Sequence, residues 1–257
     1  MNGPRQDPPL SGRTFLVAGT AGGVGEAVAR VLLGEGATVV VTDGGPEELA
    51  RLAVYAVRTG AGRLVVEPVV VGDPDRAFVA ALLTRYAPLD GAVLCPGDPA
   101  PPERPGFPGA SGTRCEDRRD AVQWELAGHF HALLTLTALL SRSGALVYLS
   151  VPGTGEPPAF PGLPEAVSAA KSALVRSLAA GLEGAGPRVC ELAVTSRTPS
   201  SPSPSPGPHG PGRPGLHDLA RHAARVVART AAHRAAAVGT DGPQDGFPPR
   251  ELPVRRG

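Results

Sequence analysis

The chain has 257 residues, enough to bury a sizeable core in one α/β domain. A formal charge of +1 gives no electrostatic reason to bind nucleic acid or an anionic membrane, and with 4% aromatic residues there is little for bases to stack on. The first apolar stretch is broken by glycines and lacks a cleavage site after a continuous core, so neither a signal peptide nor a membrane span is expected.

In chain order, short β-branched runs alternate with helical patterns. "TFLVA" at 14–18 reads as a strand, and Gly19-Thr20-Ala21-Gly22-Gly23-Val24-Gly25 then runs straight into an amphipathic helix with Val24, Val28, Val31 and Leu32 at helical spacing. Further strands are expected at 38–42 (ending before Asp43), 64–71, 91–95, 144–150 and 188–194. A long helix after Asp120 carries Leu126, Phe130, Leu133, Leu134 and Leu140, and another carries "AVSAAKSALV" with Lys171, the only lysine of the chain. Runs apolar on both faces and separated by helices predict a doubly wound parallel sheet in three α/β/α layers. One domain is expected over 13–242, with tails at 1–12 and 243–257. Residues 198–215 are nearly all Pro, Ser and Gly and predict a mobile loop. Beyond them 216–237 reads as a helix with Arg221, Arg225 and Arg229 on one face, either solvated or an anion site.

The glycine run has a mechanism. Gly19 allows a tight turn, Gly23 lets backbone approach a pyrophosphate, and Gly25 lets helix and strand pack closely, with the helix N-terminus facing the phosphates. At the end of the second strand Asp43 can accept from a ribose 2′-hydroxyl and would repel a 2′-phosphate, while Gly44 and Gly45 supply no compensating cation.

With this spacing, and with strand and helix order agreeing over about residues 12–196, the chain resembles the short-chain dehydrogenase/reductase family. That resemblance implies a Rossmann-like fold, oxidoreductase chemistry and a nicotinamide dinucleotide, with NAD(H) preferred over NADP(H). The residues it assigns to the cofactor are Gly19, Thr20, Gly23, Val24, Gly25, Asp43, Gly97 and Lys171. Elsewhere the family pattern is altered. Its Asn-Asn-Ala-Gly after strand four corresponds to Leu94, Cys95, Pro96 and Gly97, and its catalytic asparagine matches Glu125 in "WELAGHF". Its Ser-Ser at the end of strand five reads Ser150-Val151, with Thr154 as a fallback hydroxyl, and its catalytic tyrosine is Val167, one helical turn before Lys171. The Pro-Gly after strand six reads Val194-Thr195.

Candidate catalytic residues are therefore Lys171, Glu125 and Ser150. Glu125, His129 and Lys171 form a chemical cluster, or Glu125 pairs with Lys171 while His129 packs; Tyr148 is core or a relocated acid. Two functions stay open: an NAD(H)-binding homologue with a degraded redox site, or an active oxidoreductase on a small carbonyl or alcohol using substitute groups. A non-redox enzyme of specialised metabolism is a further alternative. No metal site is expected, since His129 and His131 do not share a helix face and His217 and His222 lack partners. Cys95, Cys115 and Cys190 are odd in number without close spacing, which suggests a reduced, cytoplasmic compartment. The arginine-rich, lysine-poor composition fits a GC-rich bacterial genome. Ala166, Ala169, Ala170, Ala173, Ala179 and Ala180 make the Lys171 helix narrow, and with the resemblance this implies a homo-oligomer, dimer or tetramer; the small-molecule substrate is not legible.

Overall fold

The computed structural model describes residues 8–20, 23–73, 75–95, 115–150, 163–193 and 221–228. Strands β1 (Thr14–Ala18), β2 (Thr38–Thr42), β3 (Arg63–Val66), β4 (Leu89–Leu94), β5 (Leu140–Ser150) and β6 (Arg188–Ala193) alternate with helices α1 (Val24–Gly34), α2 (Pro46–Thr59), α3 (Arg76–Thr84), α4 (Cys115–Leu139) and α5 (Leu163–Leu182). The strands form one parallel sheet in the order β3-β2-β1-β4-β5-β6, with Val17 of β1 beside Val41 of β2 and Val93 of β4. This is the doubly wound, Rossmann-like architecture.

Alternate side chains of each strand enter different cores because successive Cβ atoms point to opposite faces. Phe15, Val17, Val39, Val41, Val147 and Leu149 pack under α1, α2 and the helical residues 221–228. On the other face Leu16, Ala18, Val40, Ala92, Leu146 and Tyr148 pack under α3, α4 and α5. The helices start and stop where local chemistry dictates. Pro46 opens α2 with Glu47 and Glu48 in its first turn, and Gly60 closes it in the left-handed region.

Three segments depart from the sequence expectation, and a fourth shows which face is buried. β3 stops at Val66 instead of reaching residue 71, since Pro68 has no N–H for the ladder and Glu67 turns inward to bind Arg85 and Tyr86. β5 begins at Leu140, directly after α4. Residues 8–12, assigned to a tail, fold back: Leu10 is buried, and its amide donates to Glu35 O at 2.9 Å. In 221–228, Ala223, Ala224 and Val227 are buried while Arg221 and Arg225 face solvent. Gly97, Val151, Thr154, Arg229, the 198–215 run and the 243–257 tail lie outside the described residues. Among the described residues no helix is long and apolar enough to cross a membrane, and no group of His, Cys, Asp and Glu is placed to hold a metal.

Candidate functional site

The sheet reverses its winding between β1 and β4, and a crevice at the carboxyl ends of those strands is where such sheets bind ligands. The glycine turn fills this edge. Gly19 has φ +80°, and a Cβ there would stand 2.6 Å from Cys95 O. A Cβ at Gly25 would stand 2.2 Å from Gly19 O, so helix α1 meets the β1 turn with no room for a side chain. Gly23 caps α1 with φ 82° and no side-chain hydrogen bond, leaving the first-turn amides without a competing cap. Glu26, in that turn, is held by Arg30 at 2.6 Å and Arg51 at 2.9 Å. Burial alone would raise its pKa, but hydrogen bonds from the two arginines outweigh it and hold the carboxyl below its usual range. Its charge is thus matched within the α1–α2 layer.

Asp43 follows β2 in a left-handed conformation, φ 58°. Its Oδ2 accepts from Thr42 Oγ1 at 3.0 Å and Val71 N at 3.4 Å, while Oδ1 is buried without a partner among the described residues. Burial pushes the carboxyl up to about 6, against the pull of those hydrogen bonds. Thr20 Oγ1 is likewise buried and unpartnered among the described residues, and it lies against Gly44, where an added Cβ would stand 2.3 Å away. Buried polar atoms are nearly always satisfied. A carboxylate oxygen and a hydroxyl left open beside the glycine turn fit the hydroxyls of a ribose whose phosphates sit at α1.

The second cluster lies between α4, α5 and β5. Lys171 Nζ donates to Glu125 Oε1 at 2.5 Å, joining the two helices. The lysine side chain is 17% exposed and the glutamate 45%. Val167 is buried one turn before Lys171, and Ser150 is buried at the carboxyl end of β5. His129 stacks edge-on against Tyr148 with ring centroids 4.8 Å apart, and its Nε2 is buried without a partner among the described residues. Burial, with the Lys171 cation, pushes His129 down to about 4, against a backbone hydrogen bond at Lys171. Tyr148 is pushed up to about 12 by burial and by the Glu191 and Glu125 carboxylates. Neutral His129 and un-ionised Tyr148 are both enclosed, whereas Glu125 and Lys171 reach solvent. Cys95 is no nucleophile, since burial pushes its thiol up to about 12.

Of the residues anticipated from sequence, Gly19, Thr20, Gly23, Val24, Gly25 and Asp43 gather at one sheet edge, and Glu125 meets Lys171. Sequence reasoning missed Val71, which acts through its backbone amide and so leaves no residue-type signature. It also missed Glu191, which stands opposite Tyr148 in the β5–β6 register and accepts from Ser172 Oγ at 2.5 Å. Opposed strand positions become visible only once the strands are aligned.

Comparison with known proteins agrees with this geometry. Residues 19–195 match the family described as enoyl-(acyl carrier protein) reductase. A short-chain dehydrogenase/reductase, ABA4, of Pyricularia oryzae is 30% identical over 91 residues, 35% of this chain and 34% of the relative. Another, dpmpG of Macrophomina phaseolina, is 40% identical over 68 residues, 26% of this chain and 39% of the relative. The chain thus spans little more than a third of the length of these curated relatives. A metagenomic short-chain oxidoreductase solved in complex with NADP superposes with a TM-score of 0.61 at 20% identity, covering 86% of this chain and 92% of that one. A short-chain dehydrogenase of Pseudomonas syringae gives 0.58 at 23% identity over 72% and 76%. Sheet order, glycine turn and the family match over most of the chain converge: the protein belongs to the short-chain dehydrogenase/reductase family of oxidoreductases.

Proposed function

We propose that the protein is an NAD(H)-binding member of this family whose dinucleotide site is kept and whose acid–base site is altered, so that ordinary carbonyl reduction is impaired. One observation carries the reading: Val167 stands one turn before Lys171, and the Lys171 ammonium rests on Glu125 at 2.5 Å. In the family pattern a tyrosine at the Val167 position exchanges the proton and the lysine cation lowers its pKa. Valine exchanges none. Loss of a positioned acid or base costs about 10²- to 10⁴-fold in rate.

The residues present fit a nicotinamide dinucleotide, and when bound it would supply or accept a hydride. Gly19, Thr20, Gly23, Val24 and Gly25 would hold its pyrophosphate, Asp43 the adenosine ribose, and Gly97 and Lys171 the nicotinamide end. Two solved relatives of the same fold carry NADP and NADPH, which supports a nicotinamide cofactor of either kind. The open Asp43 oxygen favours a free 2′-hydroxyl over a phosphate.

A second reading rests on the accessibility of the ion pair. Lys171 would deliver a proton to a substrate oxygen held by Ser150, and Glu125 would orient the ammonium, giving an active oxidoreductase with substitute groups. Titration calorimetry with NADH and NADPH, followed by NADH oxidation with small ketones and aldehydes, tests both readings. NADH binding at least tenfold tighter, with turnover far below ordinary family rates, is expected. Equal affinity for both, or none, overturns the cofactor assignment, and ordinary turnover overturns the altered site.

A further inference from the structure

Glycine inside a helix is less stable than alanine there, yet α4 carries Gly128 in its interior, between Glu125 and His129. The reason is a neighbour. A Cβ on Gly72 would come within 2.8 Å of Gly128 O and 3.1 Å of Gly128 C, and a Cβ on Gly128 would lie 3.3 Å from Gly72 O. Backbone rests on backbone here, and only glycine permits that approach from the Gly72 side.

Each glycine is tied to a different half of the site. Gly72 follows Val71, whose amide donates to Asp43 Oδ2 at 3.4 Å, and the Asp43 amide donates to Val69 O at 3.3 Å. The 69–72 segment is therefore stitched to the residue whose Oδ1 is left open. Gly128 stands one turn after Glu125, which binds Lys171 Nζ at 2.5 Å, and beside His129, which Lys171 also touches electrostatically. Packed backbone has no soft side chain to absorb a displacement, so a shift of one partner moves the other.

We infer that Gly72 and Gly128 are positioning residues whose backbone contact fixes α4 against the Asp43 segment, so that a nucleotide ribose bound at Asp43 orders the Glu125–Lys171 pair. This rests on the dinucleotide reading above. It also goes beyond it, since it makes the adenosine half of a ligand act on a lysine that it does not reach.

Lys171 is the only lysine, so the chain labelled with [13C]lysine shows a single side-chain Cε signal. The probe is adenosine 5′-monophosphate, which has the ribose and one phosphate and lacks the nicotinamide half. Calorimetry should show it binding, and the Lys171 Cε signal should move by more than its linewidth on saturation. Because coupling is reciprocal, Glu125→Gln should change the affinity for adenosine 5′-monophosphate by about twofold or more. In Gly72→Ala, which forces the backbones apart, the nucleotide should still bind, the Lys171 shift should fall by at least half, and the effect of Glu125→Gln should vanish. A packing role alone would lower the melting temperature and leave these couplings intact. No binding removes the nucleotide reading and this inference together. Binding with an unmoved Lys171 signal and unchanged affinity in Glu125→Gln overturns the inference alone, whether or not Gly72→Ala folds. A folded Gly72→Ala with the full wild-type shift overturns it too.

Discussion

At the scale of single residues, the proposed loss of the acid–base group turns on Val167. A phenol there would stand one helical turn from Lys171, on the same face, where a cation lowers its pKa. The Glu125 carboxylate, 2.5 Å from Lys171 Nζ, weakens that effect by neutralising the cation. Val167→Tyr alone is therefore expected to give little activity. Val151→Ser adds a hydroxyl to hold the substrate oxygen, and Glu125→Asn frees the cation. Because the phenol and the hydroxyl act on one substrate atom and Glu125→Asn restores the cation that tunes the phenol, the triple variant should exceed the product of the single gains in NADH oxidation with small ketones. If Val167→Phe performs as well as Val167→Tyr, the missing phenol is not what limits the wild type.

At the scale of elements, α4 and α5 are tied to each other and packed on the same face of the sheet. Ser172 and Arg176 of α5 reach Glu191 of β6 at 2.5 and 3.5 Å, while Lys171 reaches across to α4, so α5 is fixed on both sides. Its outer face carries Ala166, Ala169, Ala173 and Ala180, all exposed, and α4 exposes Phe130. Small side chains let a second helix approach closely, and we propose that this face pairs with its counterpart in a second copy of the chain. A dimer or tetramer at micromolar concentration by light scattering is expected, with Ala169→Glu and Ala173→Glu together giving folded monomer. A monomeric wild type counts against the pairing.

At the scale of the whole molecule, two buried groups oppose each other as pH changes. The folded pKa of Asp43, about 6, lies above its ordinary 3.8, so its contribution is present below pH 3.8 and is lost as pH rises through 6. The folded pKa of His129, about 4, lies below its ordinary 6.5, so its neutral form favours folding above pH 6.5 and that contribution is lost as pH falls toward 4. Asp43→Asn should therefore raise stability at pH 8 by about 3 kcal/mol and change it little at pH 4, while weakening NADH binding. His129→Phe should remove a loss of about 3 kcal/mol between pH 6.5 and 4. Denaturant unfolding at pH 4, 6 and 8 measures both, and an Asp43→Asn curve parallel to wild type would mean that the carboxyl is not held out of water.

Apart from the Glu125–Lys171 pair, which was one of two arrangements that the family resemblance offered, the three-layer parallel sheet and the glycine turn were legible in the sequence alone. These follow from local rules: β-branched runs of strand length, helical spacing of apolar residues, and glycines placed between a strand and a helix. Strand and helix ends were less legible, because the stop of β3 at Val66 depends on where Glu67 finds Arg85 and Tyr86, far along the chain. Tertiary packing set the rest: Val71 N meets one Asp43 carboxylate oxygen, Tyr148 stands beside Glu191 and His129, and Gly72 lies on Gly128. Each of these is a contact between residues remote in sequence, and several run through backbone atoms that every residue type shares. Such contacts leave no pattern in the order of side chains, because packing and not local spacing creates them.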